Sequence, residues 1–241
     1  MRNWLITTEK KELQYYKGIL IHADTNVHEQ AAALFQQHVP PASEVLDVGG
    51  GAGAFSQRLV DLGYNVTALD SDPNKWQPTD IPFLRLDIDA GIAASVDQTF
   101  DAACCLEVIE HVENPWNLLR EICAVVKPGG YLLLSTPNVT SFLSRATFVL
   151  TGRFHQFEEG DLSYGHINPV SAFELEHAAQ NLGWKVLEVR EGGSLSVFDF
   201  TTLRPFLWTL ARNMLSGLIY AIGKGHKRGW CLFYVLQKRA E

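Results

Sequence analysis

The sequence has few cysteines, and none of them follows the spacing of a metal or redox site. Cys104, Cys105, Cys123 and Cys231 are the only four in the chain, and no two of them form a Cys-x-x-Cys pair. Cys104 and Cys105 are adjacent, so in a strand they would point to opposite faces of a sheet. We interpret all four as buried thiols in a reducing compartment, and we expect a cytoplasmic protein.

The sequence also has no excess of basic residues, and its first residues do not resemble a signal peptide. The formal net charge is −7, which argues against a broad phosphate-binding surface and against nucleic acid as a partner. Residues 1–16 lack the apolar core that a secretory signal requires. The composition therefore favours a globular protein without a broad phosphate-binding surface, although a local basic patch stays possible.

The most apolar stretch, residues 205–222, does not fit a membrane span. It carries Arg212 near its middle, and a central arginine costs roughly 2.5–3.5 kcal/mol in a bilayer. An amphipathic helix fits better, and we expect its apolar stripe to pack on the domain, with a wall for a lipid-like acceptor or contact with a membrane surface as alternatives. The stripe consists of Leu203, Phe206, Leu207, Leu210, Met214, Leu218 and Ile222. A small basic cluster follows it, formed by Lys224, His226, Lys227 and Arg228. Residues 203–228 are therefore a candidate for peripheral membrane contact, with a solvated basic loop as the alternative.

Short apolar runs alternate with helical patterns along the chain, which predicts a single α/β domain over residues 1–241. The predicted architecture is a Rossmann-like, doubly wound, seven-stranded sheet, mostly parallel with an antiparallel final strand, and with helices on both faces. The predicted strands are 44–48, 65–69, 83–86, 100–106, 131–135, 184–190 and 230–237, and the predicted helices include 25–38, 55–62, 116–126 and 171–181. Two segments at about 139–168 and 192–229 lie outside this alternation and are predicted to be lid-like insertions.

A glycine-rich turn follows the first predicted strand of this sheet. In the run Asp47-Val48-Gly49-Gly50-Gly51-Ala52-Gly53, the glycines at 49, 51 and 53 permit a tight turn and a close approach of the backbone to a ligand. Asp70 ends the next strand, where a carboxylate can accept two hydrogen bonds from a ribose diol. Asp87 ends the third strand and could accept from an adenine amino group, with Ile88 against the ring. We therefore predict a nucleoside-containing ligand at this edge of the sheet.

Two ligands fit a glycine loop with an acid after the second strand. Gly49-x-Gly51-x-x-Ala54 matches a dinucleotide fingerprint, but Asp47 would repel a pyrophosphate and could instead meet the amino acid end of S-adenosylmethionine (SAM). The break at Lys127-Pro128-Gly129-Gly130 and the pair of closing strands also favour SAM. An NAD-dependent dehydrogenase and a non-catalytic SAM-binding subunit stay as alternative functions.

Five segments together resemble the class I SAM-dependent methyltransferases, in particular the type 11/12 and ubiquinone-biosynthesis O-methyltransferase branch. They are DVGGGAG, LDSDP, LDI, FDAACCLEVIEHVENP and VVKPGGYLLLSTPN. The resemblance covers roughly residues 25–190 and implies an enzyme that uses SAM and releases S-adenosylhomocysteine. It also implies that Asp47, Gly49, Gly51, Asp70 and Asp87 contact SAM. Ser71 and Leu106 would line the same pocket.

An acidic and histidine-containing cluster, Glu107-Val108-Ile109-Glu110-His111, follows the fourth strand. On a helical turn, Glu107, Glu110 and His111 would share one face and could hold a divalent metal such as Mg²⁺, with His166 as a fourth ligand. The spacing resembles the metal site of ubiquinone O-methyltransferases and of enzymes that methylate the 2′-hydroxyl at small-RNA 3′ ends. The alternative is a cluster that caps a helix or lines the pocket without a metal.

Methyl transfer to a hydroxyl requires removal of a proton as well as alignment of the acceptor with the methyl carbon. His111 or His166 could take that proton as a neutral imidazole, or a cation at the cluster could lower the pKa of the hydroxyl. We expect transfer to an oxygen or nitrogen nucleophile of a small-molecule or lipid-like acceptor. A metal-dependent RNA 2′-O-methyltransferase is the alternative enzyme.

Overall fold

The computed structural model describes residues 6–7, 13–193, 195, 198–199, 206–226 and 228–240. The strands are β1 (Ile6–Thr7), β2 (Gln14–Tyr16), β3 (Ile19–Ile21), β4 (Glu44–Val48), β5 (Asn65–Asp70), β6 (Phe83–Arg85), β7 (Phe100–Leu106), β8 (Val126–Pro137), β9 (Trp184–Gly192), β10 (Phe198–Asp199) and β11 (Cys231–Lys238). The α-helices are α1 (Val27–His38), α2 (Ala54–Asp61), α3 (Pro115–Val125), α4 (Phe142–Thr151), α5 (Glu159–Leu162), α6 (Ala172–Asn181) and α7 (Phe206–Ile222), and a short 3₁₀ helix covers Ile88–Ala90.

Seven of these strands form one sheet in the order β6-β5-β4-β7-β8-β11-β9. The strands from β4 to β8 are parallel, and β11 runs antiparallel between β8 and β9. The predicted Rossmann-like sheet with an antiparallel final strand is therefore confirmed. Parallel strands place their carboxyl ends at one edge, so the residues that follow β4, β5, β6 and β7 meet there.

The core lies on both faces of the sheet, as the apolar runs of the strands require. Leu46 and Val48 of β4 pack in the cluster that contains α3 and α6, whereas Val45 packs in the cluster that contains α1 and α2. Cys105 and Cys104 divide between the same two faces, as predicted from their adjacency. All four cysteines are free thiols, but Cys123 is only half-buried, so the prediction that every thiol is buried is wrong at this position.

The segment Lys127–Gly130 does not break the chain before a strand, as the sequence suggested. It lies inside β8, where four residues bulge opposite Asp101, because Phe100 pairs with Val126 and Ala102 pairs with Tyr131. Lys127 Nζ lies 2.6 Å from Asp101 Oδ1 and holds the pKa of that carboxyl below its ordinary value. A Cβ on Gly130 would lie 2.6 Å from the carbonyl oxygen of Asp101. The bulge thus depends on a residue without a side chain.

The two predicted lid-like segments pack on each other. Phe142 of α4 contacts Tyr220 of α7 edge to face, with ring centroids 5.6 Å apart. Asn138, which follows β8, donates to the carbonyl oxygens of His226 and Arg228 at 3.2 and 2.6 Å and joins the second segment to the end of the sheet. Movement of these segments as lids stays a prediction. None of the helices in the described part of the chain has the length and hydropathy needed to cross a bilayer.

Gly130→Ala should lower the free energy of unfolding by about 1–3 kcal/mol, because the new methyl group meets backbone that the sheet holds in place. Denaturant unfolding followed by circular dichroism measures this loss. Gly160→Ala is the matched control, since a Cβ there meets nothing within 4 Å. Equal stability of the two variants would contradict the bulge geometry.

Candidate active site

A cavity of about 770 Å³ opens at the carboxyl edge of the sheet. Its lining includes residues from the ends of four parallel strands, from α1 and from the segment after β8. Most of the residues predicted from sequence lie in this lining: Asp47, Gly49, Gly51, Asp70, Ser71, Asp87, Ile88, Leu106, Glu107, His111 and His166. Gly53 and Glu110 are not part of it. The fold thus brings residues between Leu20 and His166 together in one site.

The glycine loop owes its shape to positive φ angles and to close contacts. Gly49 has φ 77°, and a Cβ there would lie 2.5 Å from Val108 Cγ2. Gly51 has φ 55° with open space beside it, on the cavity side. Gly53, at φ 91°, is the N-cap of α2, and a Cβ there would lie 2.4 Å from Pro78 Cδ. Gly53 therefore makes room for Pro78 and is not part of the cavity lining, and its predicted contact with SAM stays a prediction.

Asp70 is held by the backbone on both sides. Its Oδ2 accepts a hydrogen bond from the amide of Gly51 at 2.8 Å, and its Oδ1 accepts from the amide of Asp72 at 2.9 Å. A carboxylate has about four lone-pair sites, so two acceptor positions are left on a fixed group that lines the cavity. This arrangement suits a pair of neighbouring hydroxyl groups.

Asp47 lies deeper than Asp70 and is almost fully buried. Its carboxylate accepts from the Ser56 hydroxyl and, at 3.2 Å, from the Cys104 thiol. Burial raises the pKa of Asp47, and these two hydrogen bonds partly offset that effect. Asp47 borders the cavity with a carboxyl group that is already partnered on both oxygens, so its predicted contact with the amino acid end of SAM stays a prediction.

The acidic and histidine-containing cluster does not form the predicted helical face. Glu107 has φ 53°, and the chain turns there, with the His111 amide donating to the Val108 carbonyl at 2.9 Å. Glu107 faces β8 instead, where the Ser135 hydroxyl donates to its Oε1 at 2.6 Å. Burial raises the pKa of Glu107 to about 7. Glu107 is thereby separated from the cluster in which the sequence placed it.

Three of the four predicted metal ligands do come together. Ligand atoms of Glu110, His111 and His166 all lie within 4.8 Å of one another, and Glu107 is not among them. The two imidazole rings are nearly perpendicular, with centroids 4.8 Å apart. His166 Nδ1 lies 2.8 Å from the Gln156 carbonyl oxygen. Because a carbonyl only accepts, Nδ1 is the donor in this contact, and Nε2 is the ring nitrogen left to face other groups.

Burial sets the protonation of this cluster. Glu110 is fully buried, and its Oε1 has no hydrogen-bond partner among the described residues. Its pKa is raised well above the ordinary value, first by burial and then by the charge of Glu107. Burial and the neighbouring His166 lower the pKa of His111. Near neutral pH, His111 is therefore a neutral imidazole that can accept a proton.

The sequence did not predict the part of the cavity that comes from the N-terminal region. Leu20, His22, Ala23 and His28 line it, next to Phe55. The hairpin β2–β3 reaches the glycine loop because Ile19 and Ile21 pack on Ala52 and Ala54. No local motif marks these residues, since their place depends on a contact between segments about thirty residues apart. Lys75 and Tyr164 also line the cavity without having been predicted.

Comparison with known proteins shows which protein family the chain matches. Residues 22–189 match the family model described as a methyltransferase domain. The chain belongs to this family. The resemblance and the fold inferred from the sequence are thereby confirmed.

Curated relatives match only part of the chain. Over 108 residues it is 36% identical to a ubiquinone biosynthesis O-methyltransferase of Xanthomonas campestris pv. campestris, a match that covers 42% of this chain and 45% of the relative. A protein of the same name from Xanthomonas axonopodis pv. citri is 36% identical over 109 residues, 42% of this chain and 46% of its own length. The chain thus matches less than half the length of these relatives.

Solved structures share the fold over most of the chain. A SAM-dependent methyltransferase from Archaeoglobus fulgidus is similar with a TM-score of 0.57 at 18% identity, covering 88% of this chain and 94% of the other. A 1,6-didemethyltoxoflavin-N1-methyltransferase from Burkholderia thailandensis, solved with its substrate and S-adenosylhomocysteine, gives 0.55 at 15% identity, with 88% and 78% covered. At these identities the likeness concerns the fold alone.

His28 generates a prediction about stability and pH. Burial lowers its pKa from 6.5 to about 3, so in acid the unfolded chain binds a proton that the folded chain does not. Stability should therefore fall as the pH drops below 6.5, and between pH 7 and 5 this group alone should account for about 2 kcal/mol. The slope of unfolding free energy against pH should be shallower in His28→Asn. His177→Asn is the control, since His177 is exposed. A slope in His28→Asn equal to that of the wild type would refute the lowered pKa of His28.

Proposed function

We propose that this chain is a SAM-dependent methyltransferase that acts on a hydroxyl group of a small-molecule or lipid-like acceptor. The observation that carries the proposal is the Asp70 carboxylate, fixed by the amides of Gly51 and Asp72 at the edge of the cavity. It supplies a rigid acceptor for a ribose diol directly beside a backbone turn that is open to a ligand. Membership of the methyltransferase domain family supports the same assignment.

The rest of the donor site follows from the position of Asp70. The backbone at Gly49 and Gly51 would lie against the methionine portion of SAM, with Asp47 behind it. Ser71, Asp87 and Ile88 follow the neighbouring strands and line the same cavity, where they would surround the adenosine. Leu106, at the end of β7, would pack against it from the other side. A dinucleotide fits this wall less well, since the Asp47 carboxyl group would face its pyrophosphate.

An oxygen acceptor is supported by the pair of histidines and by the names of the matched relatives, which are O-methyltransferases. His111 and His166 both line the cavity, and either can take the hydroxyl proton as the methyl group is transferred. An RNA acceptor is less favoured because the chain carries a net charge of −7. The histidine pair also gives a purely SAM-binding subunit less support than an enzyme.

A divalent cation at Glu110, His111 and His166 is a second way to activate the acceptor. The ligand atoms are close enough, and the unpartnered Glu110 Oε1 is the type of buried oxygen that a cation would pair. When bound, a cation would lower the pKa of the acceptor hydroxyl. With Glu107 turned toward Ser135, the site offers two imidazoles and one carboxylate. That donor set suits Mn²⁺ or Zn²⁺ better than the Mg²⁺ expected from the sequence.

Asp70→Ala should weaken binding of S-adenosylhomocysteine by about tenfold to a hundredfold, because charged hydrogen bonds of about 1.5–3 kcal/mol are lost. Isothermal calorimetry measures the dissociation constant. Asp80→Ala is the control, since Asp80 is an exposed carboxylate away from the cavity. Absence of any heat with the wild type, or binding of NAD in its place, would refute the donor assignment.

His111→Ala should lower turnover of a hydroxyl acceptor by about 10²- to 10⁴-fold while affinity for S-adenosylhomocysteine stays within about twofold. The readout is SAM consumption against a panel of phenols, fatty acids and RNA 3′ ends, with EDTA and with added Mg²⁺, Mn²⁺ or Zn²⁺. His177→Ala, on the surface of α6, is the matched control. Loss of wild-type activity in EDTA with recovery on one cation would favour the metal route. Full activity of His111→Ala would remove that residue from the mechanism.

A further inference from the structure

The helix α7 has its polar side inward and its apolar side outward. Arg212 and Ser216 are only 1% and 0% exposed, and Thr209 and Asn213 are buried beside them. These four positions follow the spacing of one helical face. The outer face carries Leu207, Leu210, Met214, Leu218 and Ile222, with exposures of 76%, 42%, 67%, 54% and 72%. This order is the reverse of that expected for a helix between a protein core and water.

Contacts with α4 hold α7 with its polar face toward the domain. The inner face of α7 lies toward α4, where Phe142 and Leu143 contact Ile219 and Tyr220. The Arg145 guanidinium donates to the carbonyl oxygen of Lys224 at 3.0 Å, which ties α4 to the end of α7. The outward leucines are therefore held in place, and an apolar ridge of about four turns faces away from the domain.

The two chain segments that form and support this ridge carry basic residues and no acidic ones. Residues 139–153 and 206–228 contain no aspartate or glutamate, although the chain as a whole has a net charge of −7. Apart from the buried Arg212 of the inner face, the basic residues in these two ranges are Arg145, Arg153, Lys224, Lys227 and Arg228. Two of them have an acidic neighbour from outside these ranges: Arg153 lies 3.9 Å from Glu159, and the Arg228 amide donates to Glu191 Oε1 at 3.0 Å. Lys224 is exposed just beyond the end of the helix, and the Arg228 guanidinium lies over the ring of Tyr220, at 5.0 Å from its centroid. A basic region thus adjoins the apolar ridge on an otherwise acidic protein.

We propose that the outer face of α7 is a docking surface for an anionic lipid bilayer, with the helix lying in the plane of the interface. Leucine, methionine and isoleucine side chains on one face suit the boundary between headgroups and acyl chains, and the adjoining basic residues suit anionic headgroups. A second copy of this chain is the less favourable occupant. An isologous contact would bring the basic residues of both copies, Lys224 among them, close to each other.

Flotation with lipid vesicles tests the proposal without any methyl donor, so its outcome is independent of the proposed enzymatic activity. The wild type should float with vesicles of phosphatidylcholine and phosphatidylglycerol in equal parts, and less with phosphatidylcholine alone. The double variant Met214→Ser/Leu218→Ser should bind the mixed vesicles at least about tenfold more weakly. Lys224→Glu should lose about fivefold, and added salt should reduce binding of the wild type.

The control is Phe173→Ser on α6, since Phe173 is 83% exposed and lies on a different element. It should float like the wild type. Circular dichroism and binding of S-adenosylhomocysteine confirm that each variant is folded. Absence of flotation in the wild type, or equal flotation of the double variant, would overturn the proposal. So would a dimer in light scattering that the double variant converts to a monomer.

Discussion

The site depends on one hydrogen bond, from the amide of Gly51 to the carboxylate of Asp70. It joins the turn after β4 to the end of β5, two neighbouring parallel strands, and so fixes the loop against the edge of the sheet. The contact requires that the turn reverse within a few residues. That is possible because Gly49 and Gly51 adopt positive φ and Gly49 leaves room for Val108. The same contact orients the carboxylate, so the glycine loop and the proposed ribose acceptor hold each other in place.

The sequence predicted correctly those parts of the candidate site that depend on short, local sequence patterns. Strand ends, the glycine turn and the acids at 70 and 87 follow from periodicity and spacing, and the structure brings them together in one cavity. The sequence was wrong where a backbone angle decided the outcome. The amino-acid sequence of residues 107–111 does not show that Glu107 adopts φ 53°. It also does not show that the Glu107 side chain contacts Ser135, which lies on a different strand. Gly53 looked equivalent to Gly51, but Pro78, far along the chain, gives it a packing role.

Contacts between distant segments set the remaining limits of prediction. The histidines at 22 and 28 enter the cavity because a short apolar hairpin packs on the glycine loop, and a three-residue strand carries almost no periodic signal. For α7 the sequence predicted that the stripe containing Leu207, Met214 and Leu218 packs on the domain. That prediction is wrong, because these side chains are exposed and the polar face of the helix is buried. The side that faces inward is set by α4 and by the end of the sheet, to which Asn138 ties the segment after α7. The polar residues then take the inner positions, and the leucines are left outside.

Glu110 links the structure of the site to its chemistry. A fully buried carboxylate with an oxygen that has no hydrogen-bond partner among the described residues is costly to ionise, so it either keeps a proton or pairs with a cation. His111 Nε2 lies 3.9 Å from Oε1, but burial disfavours protonation of that imidazole, so it is a poor counter-charge for an ionised Glu110. If Glu110 stays protonated, the proposed role of His111 as a base needs no metal. If Glu110 is ionised, the proposed cation would neutralise it and would take His111 as a ligand. The two proposed routes therefore compete for the same imidazole, and the ionisation of one buried carboxyl group would favour one over the other.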